Sequence, residues 1–169
     1  MVQQALHGKT VFITGGSRGI GEAIALRFAA AGANIVIAAK SDAPQPTLPG
    51  TIHSVVAAVE QLGVQGLAVK CDIREEEQIQ NAVQRAVARF GGIDILVNNA
   101  GLAAGLASLA EGETDDWEIM IDTNMKGLLY MTRAIAPNMV ARRKGHIVNI
   151  GSIAGKEIYP NGNVYIGNF

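Results

Sequence analysis

The chain has 169 residues, 49% of them hydrophobic and 17% charged, which suits one compact domain and argues against two. Its 14 lysines and arginines nearly cancel 15 aspartates and glutamates, for a net charge of −1. That balance excludes a strongly basic nucleic-acid binder and an acidic disordered tail.

From the N-terminus, Met1 to Lys9 is too polar for a signal-peptide core. Val11-Phe12-Ile13 is a first short strand, and Gly15 to Gly21 a glycine-rich loop. Ile20, Ile24 and Phe28 recur every four residues and predict a helix stopped at Gly32. Ile35-Val36-Ile37 is a second buried strand, followed by a loop from Ser41 to Gly50 that holds Pro44, Pro46 and Pro49. Thr51 is placed to cap a helix whose apolar face is Ile52, Val55, Val56 and Val59. Leu67-Ala68-Val69 is a third strand, ending near Asp72. Ile79, Val83, Val87 and Phe90 form the next helical stripe, closed by Gly91-Gly92. Ile93 to Val97 is the fourth strand and runs into Asn98-Asn99-Ala100-Gly101. Thr114 or Asp115 then caps a helix carrying Trp117, Ile121 and Met125, with its end near Met139 blurred by Pro137. Ile147 to Ile150 is the fifth strand, and Gly151 to Asn163 reads as a loop.

Alternating units of this kind build an α/β, doubly wound, Rossmann-like parallel sheet with helices on both faces. No apolar run reaches the ~20 residues of a membrane span. The single cysteine, Cys71, cannot form an internal disulfide and reads as a small core residue, so the expected location is cytoplasmic. His7, His53 and His146 lack metal-ligand spacing, and Arg142-Arg143-Lys144 reads as a solvated turn. Neither a metal, a membrane nor a nucleic acid is an expected partner.

The most informative segment is Thr14-Gly15-Gly16-Ser17-Arg18-Gly19-Ile20-Gly21. Such glycines serve a tight turn, close backbone approach to a pyrophosphate, and packing of helix on strand, while the helix N-terminus offers free N–H groups to phosphate. In a chain this rich in glycine the spacing alone would arise by chance about 0.3 times, so its position at the first strand–helix joint carries the argument.

Glycines at i, i+4 and i+6 after a threonine resemble the short-chain dehydrogenase/reductase family. Asn98-Asn99-Ala100-Gly101 is similar to that family's motif after the fourth strand, and Asp72-Ile73 to the pair it sets against adenine. Asn124 resembles its helix asparagine and Ser152 its catalytic serine, and Tyr165 follows the serine by 13 residues, as its catalytic tyrosine does. The segment from Ala33 to the proline loop is similar to the hydroxysteroid-dehydrogenase-like branch, and Asp116 to Tyr165 to bacterial 3-hydroxy acid (serine-type) dehydrogenases.

The resemblance implies a nicotinamide cofactor held by Gly15, Ser17, Arg18, Gly19, Ile20, Gly21, Lys40, Asp72, Ile73, Asn99, Ala100 and Gly101, with Asn124, Ser152 and Tyr165 as the catalytic set. Enzymes preferring NAD usually carry an acid at the end of the second strand. Here Ala38-Ala39-Lys40 stands there and Arg18 lies in the glycine loop. NADP(H) is therefore expected over NAD(H), with a small alcohol or carbonyl as substrate and a homo-oligomer for the full-length form.

The family's lysine, four residues after the tyrosine, is replaced by Phe169. The family's sheet has seven strands and the reading above supplies five. The expectation is thus a single domain over 1–169 that is incomplete on its C-terminal side, with the fifth strand as an apolar edge. Two readings stay open: an NADP(H)-dependent oxidoreductase, and a catalytically inactive dinucleotide-binding or interaction protein of the same fold. A methyltransferase is the weaker third, since methyl transfer needs neither Ser152 nor Tyr165.

Overall fold

Five short apolar runs form the strands β1 (Thr10–Thr14), β2 (Asn34–Ala39), β3 (Gly66–Lys70), β4 (Ile95–Asn98) and β5 (His146–Asn149). All pair in parallel, in the order β3-β2-β1-β4-β5. The structure is a computed structural model and describes residues 4–46, 48–105, 107–157 and 159–167. Val11 faces Ile35 on one side and Ile95 on the other, so β1 is laddered along both edges.

Side chains alternate across a strand, and here both faces are apolar. Val11, Ile13, Ile35 and Ile37 point to one face, against α1 (Gly19–Ala30) and α2 (Ile52–Glu60). Phe12, Val36, Ala38 and Val69 point to the other, against α3 (Glu76–Phe90) and α5 (Leu128–Ala141). Two-sided burial explains why these strands read as continuous apolar runs rather than alternating ones.

The helices begin and end for local reasons. α2 starts with a reciprocal capping box: Thr51 Oγ1 accepts the Ser54 N–H at 3.0 Å, and Ser54 Oγ accepts the Thr51 N–H at 2.8 Å. α3 stops at Gly91, whose φ of +80° suits a left-handed cap. No described helix is long and apolar enough to cross a membrane.

Four expectations need correction. The stripe Ile20, Ile24, Phe28 is not the buried face of α1: Ile20 is 65% exposed, while Gly21, Ala25 and Ala29 are buried. The small residues let the helix lie close on the sheet, and Ile24 and Phe28 pack at its flanks. In α3 likewise Ala82 and Ala86 join Ile79 underneath, with Val83, Val87 and Phe90 partly buried beside them.

Neither Thr114 nor Asp115 caps its helix: α4 (Thr114–Met120) takes Glu113 as its cap residue, with no side-chain hydrogen bond. The long helix does run past Pro137, as expected. A π-helical turn, Ile121–Gly127, joins α4 to α5, and α5 continues to Ala141. Pro137 lies on the exposed side, where water can satisfy the carbonyl that loses its N–H partner. Finally, the segment after β5 is not all loop. It holds a 3₁₀ turn, Ile153–Gly155, and the short helix α6 (Asn163–Gly167).

Candidate functional site

The C-terminal ends of the parallel strands form a crest, where open α/β sheets bind ligands. At its centre the chain leaves β1 through Gly15, whose φ is +66°. A Cβ on Gly15 would sit 2.8 Å from the Ala100 Cα, so the turn can lie against the end of β4 only as glycine. A Cβ on Gly21 would meet the Gly15 carbonyl and Asn99 Nδ2, both at 2.6 Å. Gly19, at φ +57°, faces open space, with no atom within 4 Å of where its Cβ would be.

Thr14 and Asn99 lock this turn. Thr14 Oγ1 accepts the N–H groups of Asn99 and Ala100, each at 3.0 Å. Asn99 Nδ2 donates to the carbonyls of Thr14 at 3.0 Å and Gly15 at 3.1 Å. The asparagine's amide thus shapes the glycine loop.

A cavity of about 500 Å³ opens on the β2 side of the loop, walled by Gly15, Ser17, Arg18, Lys40, Ser41, Asp72, Ile73, Asn99, Ala100 and Gly101, among others. Arg18 Nη2 donates to Ser41 Oγ at 2.7 Å and to the Gly50 carbonyl at 3.1 Å. Arg18 Nε is buried without a hydrogen-bond partner. Lys40 is largely exposed, with Nζ 3.9 Å from Asp72. Arg74 grips the Asp72 carboxylate through Nη2 at 2.5 Å and through Nε at 3.0 and 3.1 Å. The Arg74 guanidinium accordingly holds the Asp72 carboxyl below the usual carboxylate range, with Lys40 adding to the effect. Beside it, burial pushes the Cys71 thiol up to about 11, which makes it a core group rather than a nucleophile.

A second cavity of about 500 Å³ shares the Asn99 to Leu102 wall and extends toward β5, bounded by Ile20, Asn124, Asn149, Gly151 and Tyr165. Asn124 is buried within the π-helical turn, a device frequent at functional sites. Its Oδ1 accepts the Leu102 N–H and its Nδ2 donates to the Leu102 carbonyl, both at 2.9 Å. Tyr165 is half-buried on α6. Ser152 follows the lining Gly151 without itself forming a wall, and its Oγ accepts the Ala154 N–H at 3.2 Å. Phe169 lies outside the described residues.

The fold therefore brings most of the expected residues to two adjoining cavities, Gly15, Ser17, Arg18, Lys40, Asp72 and Ile73 in one and Ile20, Asn124 and Tyr165 in the other, while Gly19, Gly21 and Ser152 line neither. Sequence reasoning missed Ser41 as the partner of Arg18, Thr14 as the knot between β1 and β4, and the pairing of Asn124 with Leu102. Thr14 stood inside the glycine motif and could have been found there. The other two depend on contacts distant in sequence. Among the described residues no group of three or more His, Cys, Asp or Glu could hold a metal ion.

Comparison with known proteins agrees with this geometry. The chain is 45% identical over 145 residues to hydroxysteroid dehydrogenase-like protein 2 of Danio rerio, covering 86% of this chain and 35% of that one. It is 43% identical over 156 residues to the NADP-dependent 3-hydroxy acid dehydrogenase YdfG of Salmonella typhi, covering 92% and 58%. The chain thus spans about a third to three fifths of the length of these curated relatives. Among solved structures, carveol dehydrogenase from Mycobacterium avium in complex with NAD superposes with a TM-score of 0.88 at 30% identity, over 97% of this chain and 61% of that one. The profile described as short chain dehydrogenase matches residues 9–167. With the glycine turn, the parallel sheet and the paired cavities in place, the chain belongs to the short-chain dehydrogenase family.

Proposed function

We propose that this chain binds a nicotinamide dinucleotide, NADP(H) in preference to NAD(H), and serves as an oxidoreductase on a secondary alcohol or its carbonyl. The observation that carries the cofactor preference is the cationic end of β2. Arg18, Lys40 and Ser41 stand together there, and Asp72 is already neutralised by Arg74. Asp42, the next acid along, is turned to His53 at 2.8 Å and to Lys70 at 4.0 Å. A 2′-phosphate would meet charge-assisted donors rather than a carboxylate.

The residues fit such a cofactor. Gly19 leaves open space over the helix start, Arg18 keeps a buried unpaired Nε, and the first cavity is roomy enough for an adenosine. Gly15, Ser17, Arg18, Gly19, Ile20 and Gly21 would hold the phosphates, with Asp72 and Ile73 beside the base and Asn99, Ala100 and Gly101 beneath the middle of the molecule. When bound, the nicotinamide supplies or accepts a hydride.

The protein's own part is the proton. The Tyr165 hydroxyl would give a proton to the substrate oxygen on reduction and take it back on oxidation. Ser152 would orient that oxygen by donating its O–H to it, while its Oγ goes on accepting the Ala154 N–H. Asn124 would brace the Asn99 to Leu102 wall behind the reacting atoms. The similarity to a 3-hydroxy acid dehydrogenase supports a hydroxy acid as the substrate class. A cytoplasmic location and a homo-oligomeric full-length form accompany this reading.

Phe169 favours a second reading, a dinucleotide-binding protein without turnover. Phenylalanine stands where the family carries a lysine and offers no cation beside the phenol. Oxidation of NADPH with 3-oxo acids, small ketones and aldehydes tests the two. Turnover abolished by Tyr165→Phe supports the enzyme. NADPH binding with no turnover on any of these classes supports the second reading.

A further inference from the structure

The loop between β4 and α4 is tied to both sides of the catalytic pocket. Near its start Leu102 holds Asn124 through two hydrogen bonds. Further along, the Ala107 carbonyl accepts from Asn163 Nδ2 at 3.0 Å, across 56 residues of chain. Asn163 opens α6 and precedes Tyr165 by two residues. Its Oδ1 accepts the Val164 N–H at 2.5 Å. Its φ of +22° lies in the left-handed range, which asparagine tolerates better than most residues. Among the described residues α6 runs from Asn163 to Gly167. It leans on α4 and on the 3₁₀ turn after Ser152.

We propose that Asn163 is a positioning residue: its amide, tied to Ala107, fixes the turn of helix that carries Tyr165 relative to the loop that holds Asn124. The proposal rests on the reading of Tyr165 as the proton-transfer group. The β4–α4 loop then acts as one strut with two fastenings, Asn124 at one end and Asn163 at the other. Such a tie matters because a misplacement of about 1 Å at a reacting group can cost up to about 100-fold in rate.

Asn163→Asp and Asn163→Gly form the test pair. Aspartate keeps an acceptor for the Val164 N–H but turns a carboxylate oxygen toward the Ala107 carbonyl. Glycine keeps the positive φ and removes both bonds. Both variants should lower kcat by about tenfold or more, with KM and the NADPH dissociation constant within about twofold of wild type. In protein carrying ¹³C-labelled tyrosine, the Tyr165 ring resonance, assigned with Tyr165→Phe, should shift or broaden in both variants while that of Tyr130 stays in place. An unmoved Tyr165 resonance in Asn163→Asp overturns the proposal, as does wild-type kcat in that variant. If Tyr165→Phe turns over as fast as wild type, the catalytic reading fails alone, and the resonance still decides the placement of Tyr165 by Asn163.

Discussion

Strands β2 and β5 draw on similar residues and meet opposite surroundings. Ile35 and Ile37 in β2 are fully buried, with strands on both edges and helices on both faces. Ile147 in β5 is 36% exposed, three of its strand's four residues are exposed, and among the described residues no strand pairs with its outer edge. The part of the crest above β1, β2 and β4 stands on strands paired along both edges, with the Thr14 and Asn99 bonds added to them. The part beyond β5 hangs on side-chain bonds: Asn124 to Leu102, Asn163 to Ala107, and Ser152 to the next turn. The first cavity is therefore bounded mainly by the buried strands, and the second by individual fastenings beside an edge strand.

The widest gap between the two regions should appear in core truncation. Ile37→Ala should destabilise the protein by about 2–5 kcal/mol, the usual cost of a cavity in a packed core. Ile147→Ala should cost less than about 1 kcal/mol, because that side chain is partly in water already. Urea unfolding of the two variants measures the difference, and equal losses would remove the distinction between buried and edge strands.

A smaller effect is expected at the glycine turn. Gly21→Ala places a methyl against the Gly15 carbonyl and Asn99 Nδ2 and should weaken NADPH binding by at least about tenfold, or ~1.4 kcal/mol. Fluorescence titration reads it directly. Affinity equal to wild type would mean that the loop yields without loss.

Acid unfolding examines the rim of the first cavity. The Asp72 carboxyl is held low by Arg74, so its native pKa lies below the unfolded value of ~3.9. It contributes stability above that value and loses it as pH falls through the lower native one. Arg74→Gln should therefore be less stable than wild type at pH 7, and the gap should close below about pH 4. A gap that stays constant from pH 7 to pH 2 would show that Arg74 acts through packing. The smallest effect belongs to Thr123, a buried residue beside Asn124 whose Oγ1 has no hydrogen-bond partner. Thr123→Val should be neutral or stabilising by up to about 1 kcal/mol in the same urea experiment. A clear loss of stability would reveal a bond that the hydroxyl makes in solution.

Much of this was legible in the sequence, for physical reasons. A strand buried on both faces must be apolar throughout, so β1, β2 and β4 announced themselves. The glycine turn was legible because only glycine allows Gly15 to lie on Ala100. The helix faces were misjudged because packing here favours the smallest side chain, so Ala25 and Ala29 lie underneath and Ile20 stays outside. Only the end of α5 stayed blurred at Pro137, because the cost of the missing N–H depends on exposure, which propensity does not see. The bonds from Asn163 to Ala107 and from Arg18 to Ser41 join residues far apart in the chain, and no local pattern encodes them.

The central claim is that Arg18 and Lys40 make the end of β2 a receptor for the cofactor's phosphate, and one calorimetric experiment addresses it most directly. NADPH and NADH are titrated into the wild-type protein and into an Arg18→Ala, Lys40→Ala variant. The account predicts that NADPH binds wild type more tightly by about 1–3 kcal/mol, or about 5- to 150-fold, and that the double variant loses most of this preference. Equal affinities in the wild type, or an undiminished preference in the variant, would contradict it.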